Sequence, residues 1–316
     1  MRPMCLDPFL NLCLKSRAAR ASTACRLKTS AGWGATGTIL KKSVRCGSSG
    51  FTLIEMIVVM TVTGILVSVV ALFIRRPMEG LVDATRRAAL ADTADTAARR
   101  MRRDIQRALP NSVRVLQSGA TWYIEFLPVL AAGRYCESVD CGAAPLDFSS
   151  TTASFSFAGP APVLSPIPAG SEVAINNLGF IDLGVIDPSF KQSDAYTGDN
   201  TATLSAIGAS TITLGGAKLF PQSSPGKRFF IIGSPVSYAC TTGGNLTRIS
   251  GYAKQASQPS PASVGSPILA SNVAACSIDY VQSAIDQYGL LYLTLQIAQS
   301  GESVTLTHAI QINNTP

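Results

Sequence analysis

The feature that most constrains this chain is the apolar run MIVVMTVTGILVSVVALFI ending at Ile74, introduced by Phe51-Thr52-Leu53-Ile54-Glu55. Between Phe51 and Ile74 the only charged side chain is Glu55. Coiled as a helix at about 1.5 Å per residue the run is about 36 Å long, enough to cross the hydrocarbon core of a bilayer. A carboxylate inside such a span costs about 2.5–3.5 kcal/mol at depth and less near its end. Glu55 therefore calls for a partner.

The residues in front suggest one. The small, uncharged segment Gly47-Ser48-Ser49-Gly50 is flexible enough to enter a protease as an extended strand. A cut after Gly50 would free the amine of Phe51, a cation near Glu55 that can neutralise it within one chain or between two. Upstream, Arg2, Lys15, Arg17, Arg20, Arg26, Lys28, Lys41, Lys42 and Arg45 face the single acid Asp7. This leader accounts for the whole +7 of the chain and leaves the remainder at about −1, so a nucleic-acid partner loses its electrostatic support. Positive charge before the helix holds that end in the cytoplasm, although Arg75 and Arg76 weaken the asymmetry.

Gly50-Phe51-Thr52-Leu53-Ile54-Glu55 followed by an apolar run resembles the class III signal of type IV pilins and of the pseudopilins of type II secretion. The resemblance implies an α+β type IV pilin fold, a long N-terminal helix packed on an antiparallel β-sheet head. It implies that a prepilin peptidase cuts after Gly50 and that Phe51 becomes the N-methylated terminus. Glu55 becomes the carboxylate that pairs with a neighbouring subunit's N-terminus during assembly. Leu40–Gly50, with Lys41, Lys42 and Arg45, has the makings of a complete leader of this kind, which places the start of translation near Leu40. The Arg-rich stretch 15–38 also resembles an organellar transit peptide, a reading that the following signal disfavours.

The organisation expected is a leader (1–50), a transmembrane helix (51–74), an amphipathic helix (75–109) and a β-rich head (110–316). Pro77 marks the membrane exit and predicts a kink. Gly64 lies where pilin-like helices often carry a helix-weakening glycine, so Gly64 and Pro77 are the expected weak points. From Leu81 to Leu109 the apolar stripe Leu90, Ala94, Ala97, Met101, Ile105 and Ala108 recurs at spacings of three and four, with small residues that allow close approach to a sheet. The opposite face is rich in arginine and reads as solvated or subunit-facing. Pro110 ends the helix.

Beyond it the period becomes two. Strands are expected at Ser112–Gln117, Trp122–Val129, Ala153–Ala158, Glu172–Leu178, Thr211–Leu214, Arg228–Tyr238, Leu246–Tyr252 and Ala275–Val281. A closing hairpin turns at Ser300-Gly301, with Leu291, Leu293, Leu295 and Ile297 opposite Val304, Leu306, Ile310 and Ile312. Gly142–Ala169 and Lys254–Pro267 read as exposed loops. Gln192–Asn200 carries Asp194, Asp199 and Asn200, oxygen ligands of the kind calcium uses, but not at the spacing of a known calcium loop, so a solvated turn is favoured.

Cysteines divide at the cut. Cys5, Cys13, Cys25 and Cys46 precede it; Cys136, Cys141, Cys240 and Cys276 follow it, an even set suited to an oxidising compartment. Four cysteines allow three pairings, of which Cys136–Cys141 and Cys240–Cys276 are favoured. No metal site and no cofactor are expected. His308, the one histidine, falls on an apolar face and reads as a packed or edge residue. The lone His, the lack of Gly-x-Ser-x-Gly and the lack of a metal-spaced cluster argue against an enzyme.

The resemblance extends into the head. Arg103-Asp104-Ile105-Gln106-Arg107-Ala108-Leu109-Pro110-Asn111-Ser112-Val113-Arg114, Arg228-Phe229-Phe230-Ile231, Pro235–Cys240, Leu246–Tyr252 and the terminal Ile312–Pro316 resemble the MshO-type minor pilins of mannose-sensitive haemagglutinin (MSHA) pilus systems. That implies a single-pass inner-membrane protein with a periplasmic head, which then joins a pilus at the cell surface as an initiating or tip component. Its partners would be other major and minor pilins, the prepilin peptidase, the inner-membrane assembly platform and the lipid bilayer. Two rivals stand beside it, a J-type minor pseudopilin of type II secretion and a membrane-tethered periplasmic binding protein or enzyme.

Overall fold

Thr52 starts the helix. Its hydroxyl accepts a hydrogen bond from the Glu55 amide at 3.3 Å, the capping that a threonine before an apolar run provides, and Thr52-x-x-Glu55 has the spacing of a capping box. The computed structural model describes residues 50–179, 192–282 and 288–316, apart from the side chains of residues 75–77, 79 and 282. The proposed leader and its four cysteines lie outside the described residues, except for Gly50. The chain divides into two units, Met1–Arg76 and Pro77–Pro316.

Helix α1 is assigned without interruption over Leu53–Ile105. Gly64 and Pro77 both fall inside it, so the helix does not stop at Ile74 and resume at Leu81. It ends four residues before Leu109, because the chain from Ala108 onward leaves to pair elsewhere. Leu109 donates its amide to the Leu127 carbonyl at 2.7 Å, Val129 donates back to Arg107 at 2.9 Å, and Ala108 bridges Pro128.

In the second unit the stripe Leu90, Ala94, Ala97, Met101, Ile105 and Ala108 is buried as expected, in one core with Ile124, Tyr238, Leu246, Leu291, Leu293, Leu295 and Ile310. Strands β1 (Arg114–Ser118) and β2 (Thr121–Phe126) come first. They are followed by β3 (Val129–Tyr135), β4 (Thr152–Ala158), β5 (Glu172–Ile175), β6 (Thr201–Ile207), β7 (Thr211–Lys218) and β8 (Arg228–Ile232). Last are β9 (Val236–Thr241), β10 (Gly244–Ser250), β11 (Ile268–Gln282), β12 (Tyr288–Gln299) and β13 (Glu302–Asn313). Every strand pairing among the described residues is antiparallel.

The head is not the single sheet expected. A seven-stranded sheet in the order β1-β2-β9-β10-β11-β12-β13 stands beside a closed barrel in the order β3-β4-β7-β6-β5-β8. Because β2 pairs directly with β9, Phe126 opposite Val236, residues 127–235 form an insertion between two neighbouring sheet strands. The run Arg228–Tyr238, expected as one strand, is two. It breaks at Gly233-Ser234-Pro235, where the chain passes from barrel to sheet, and Trp122–Val129 is divided in the same way at Leu127-Pro128. Strands β3 and β6 were not foreseen at all.

The turn after α1 is a polar clasp. Asn111, with φ of 59°, donates through Nδ2 to the Asn177 carbonyl at 2.8 Å and the Asn314 carbonyl at 3.1 Å. Asn177 donates to the Pro110 carbonyl at 2.7 Å. The end of the helix, the end of β5 and the last strand are thereby tied to one point. On the sheet, Arg114 pairs with the fully buried Glu125, which also accepts the Tyr252 hydroxyl at 2.8 Å, while the guanidinium lies 3.5 Å over the Tyr196 ring. Both favoured disulfides are formed, Cys136–Cys141 at the barrel and Cys240–Cys276 between β9 and β11. His308 is half-buried with Nε2 3.7 Å from Asp95, an edge position facing the helix.

Candidate processing and assembly site

The apolar span contains few polar side chains, and the structure accounts for nearly all of them. Thr61 donates its hydroxyl to the Val58 carbonyl at 2.9 Å, Thr63 to Val59 at 2.7 Å, and Ser68 to Ile65 at 2.7 Å. Each hydroxyl is closed onto its own helix, which is how a polar side chain is tolerated where no water can reach it. Thr52 is occupied at the cap. Glu55 alone has no side-chain partner among the described residues. It sits in the first turn of α1, where the unpaired amides favour negative charge.

The surroundings are open. Phe51 is 77% exposed, and Leu53, Ile54, Met56 and the apolar residues on to Ile74 are exposed all around the helix. Leu53–Ile74 has a mean hydropathy of 2.8 with none of it buried, the profile of a helix whose solvent is lipid or other helices. A Cβ added at Gly50 or Gly64 would meet nothing within 4 Å. The chain's own packing therefore does not require glycine at either position.

Gly50, Phe51, Glu55 and Gly64 thus lie on one segment, and Pro77 lies outside the span. The four head cysteines belong to the β-structure and are remote in sequence from this site. Among the described residues, no group of three or more His, Cys, Asp or Glu side chains is placed to hold a metal ion. Sequence reading missed the helix cap at Thr52, whose signal was the spacing to Glu55, and the hydroxyl-to-carbonyl closure of Thr61, Thr63 and Ser68.

Residues 45–71 match the prokaryotic N-terminal methylation motif. The segment is a type IV pilin-like prepilin signal, the mark of a pilin or pseudopilin processed by prepilin peptidase. With the exposed apolar helix that follows, it fits a single-pass membrane anchor. No curated protein and no solved structure matches the chain.

Proposed function

We propose that this chain is a minor type IV pilin of MSHA type, a non-enzymatic subunit that takes part in initiation or at the tip of a pilus. Prepilin peptidase cuts after Gly50, and Phe51 becomes the methylated N-terminus. The mature protein stands in the inner membrane with its head in the periplasm until the assembly platform transfers it among other pilins. Helix packing supplies the cohesion. Glu55 sets the register, because either it or a neighbour's terminal amine left unpaired in an apolar bundle is penalised.

The observation that carries this reading is the contrast within the span: every hydroxyl is satisfied by its own helix, and the one carboxylate is not. The size of the head, enlarged by an inserted barrel, supports a minor role over that of a closely repeating fibre subunit.

The test has two parts. Intact mass and N-terminal peptide analysis of protein from its host's membranes should show a chain beginning with N-methylated Phe51. Glu55→Ala should leave cleavage intact and lower incorporation into pili roughly tenfold or more. A chain retaining residues before Gly50, or normal incorporation of the variant, would overturn the proposal, and the tethered binding protein would then take its place.

A further inference from the structure

The lysines and arginines of the head are, with two exceptions, already matched. Among the described residues after Pro110, Arg114 pairs with Glu125, Lys227 with Glu137, Arg248 with Asp104 and Lys254 with Glu172, and Lys218 donates to the Gly198 carbonyl at 2.8 Å. Arg134 and Arg228 have neither an ion pair nor a side-chain hydrogen bond among the described residues, and they stand directly opposite each other on β3 and β8. Like charges in that position repel. The fold therefore holds an arginine pair whose charge no described side chain balances.

Strand alternation sets the face on which the pair lies. Tyr135, Phe229 and Ile231 belong to the barrel core, so Ala132, Arg134, Arg228 and Phe230, which alternate with them, project from the outer wall. Burial agrees: Ala132 and Arg134 are exposed, and Arg228 and Phe230 are half-buried. The Arg228 side chain runs across Gly226, where an added Cβ would come within 3.0 Å of its Nε. A glycine at that position leaves the arginine its place.

A cleft of about 570 Å³ opens on this wall, within the size range of small-ligand sites. Arg228 lines it from the barrel and Arg107 from the turn after α1. The Arg107 carbonyl accepts the Val129 amide at 2.9 Å, which fixes that turn against the start of β3. Arg107 too has no ion pair or side-chain hydrogen bond among the described residues. Leu130 and Phe230 give the cleft an apolar wall, and Gln106 and Asn313 bring amide side chains to it. Guanidinium groups bind a planar carboxylate through paired hydrogen bonds. An apolar wall beside amides suits a ring that carries hydroxyls better than it suits a bare ion, and a folded partner would need about 800 Å² on each side, more than such a cleft presents.

We propose that this cleft binds an acidic sugar, its carboxylate held by Arg107 and Arg228 and its ring laid against Leu130 and Phe230. Arg134 does not line the cleft. It adds to the positive field from the next strand, and the bound carboxylate offsets the repulsion between Arg134 and Arg228. The inference is independent of the pilin assignment.

The test titrates the full chain in detergent micelles with sodium galacturonate, read by ligand-observed NMR. Galacturonate should bind with a Kd of about 1 mM or below, roughly tenfold or more tighter than galactose or the galacturonate methyl ester, which keep the ring and lack the charge. Arg228→Gln and Arg107→Gln should each weaken binding roughly tenfold, and Arg134→Gln about threefold, since it acts only through the field. Arg99→Gln, which alters a helix cation already paired with Asp95, should leave binding unchanged. Without ligand, Arg228→Gln should melt at or above the wild-type temperature, because it relieves the opposition to Arg134, so that lost binding is separated from lost folding. The proposal is overturned by no binding of galacturonate, by binding no tighter than that of galactose, or by binding that survives Arg228→Gln. Inorganic phosphate bound as tightly as galacturonate, or a hexaglutamate peptide bound more tightly, would overturn the sugar equally.

Discussion

The sheet and the barrel are made by the same antiparallel pairing, yet β12 and β13 run for 12 residues each, whereas no barrel strand exceeds the 8 of β7. Their cores differ as well. The sheet buries leucine and isoleucine against the alanine-rich stripe of α1. Among the described residues the barrel has no helix in its core, which is filled by Tyr135, Phe155, Phe157, Phe220 and Phe229, with the Phe155 and Phe229 rings edge-on at 5.4 Å. A sheet that receives a helix needs small residues where the two approach. A sheet closed on itself must fill its own interior, which favours large rings.

The largest expected effect that separates the two bodies comes from their disulfides. Cys240–Cys276 closes a separation of 36 residues and Cys136–Cys141 one of 5. By chain entropy, replacing the first pair with serine should cost about 4 kcal/mol and the second about 2 kcal/mol, measured by urea unfolding under non-reducing conditions. Equal losses would break the distinction.

Next, Glu125→Ala should remove about 3 kcal/mol, because it leaves the Arg114 guanidinium and the Tyr252 hydroxyl beside a buried void. The loss should fall on the β1 edge, read as faster amide exchange at Val115–Gln117. Exchange that quickens instead in β5–β8 would show the barrel to be the weaker body.

The smallest effect concerns alkaline pH. Burial pushes Tyr135 in the barrel up to about 12 and raises Tyr238 in the sheet and Tyr252 just beyond β10 as well. For such groups the unfolded chain loses its proton first, so the stability they contribute is complete below about pH 10 and declines as pH climbs through the folded values. Tyrosinate absorbance from these rings should appear together with the loss of β-sheet circular dichroism. Ionisation of all 8 tyrosines near pH 10 with the dichroism intact would show the rings to be accessible.

The features legible in the sequence are those written locally. Alternation at Leu291, Leu293, Leu295 and Ile297, a turn at Ser300-Gly301 with φ of 51° and 84°, and the stripe from Leu90 to Ala108 each declare themselves within a few turns or residues. The processing segment is legible for the same reason, its constraint lying in consecutive residues from Gly50 to Glu55. The barrel is not. Val129–Tyr135 and Thr201–Ile207 are rich in Ala, Gly and Thr and carry weak alternation, and closure depends on β3 meeting β8 nearly a hundred residues later. Nor is the clasp, since Asn111, Asn177 and Asn314 meet only in the folded chain.

The barrel leaves the sheet and returns to it at one paired position, Phe126 opposite Val236. Partners in an antiparallel ladder stand about 5 Å apart, so a short hairpin turn could join β2 to β9 where residues 127–235 now stand. The insertion is therefore a cassette, exchangeable at a single seam while the sheet ladder on either side keeps its register.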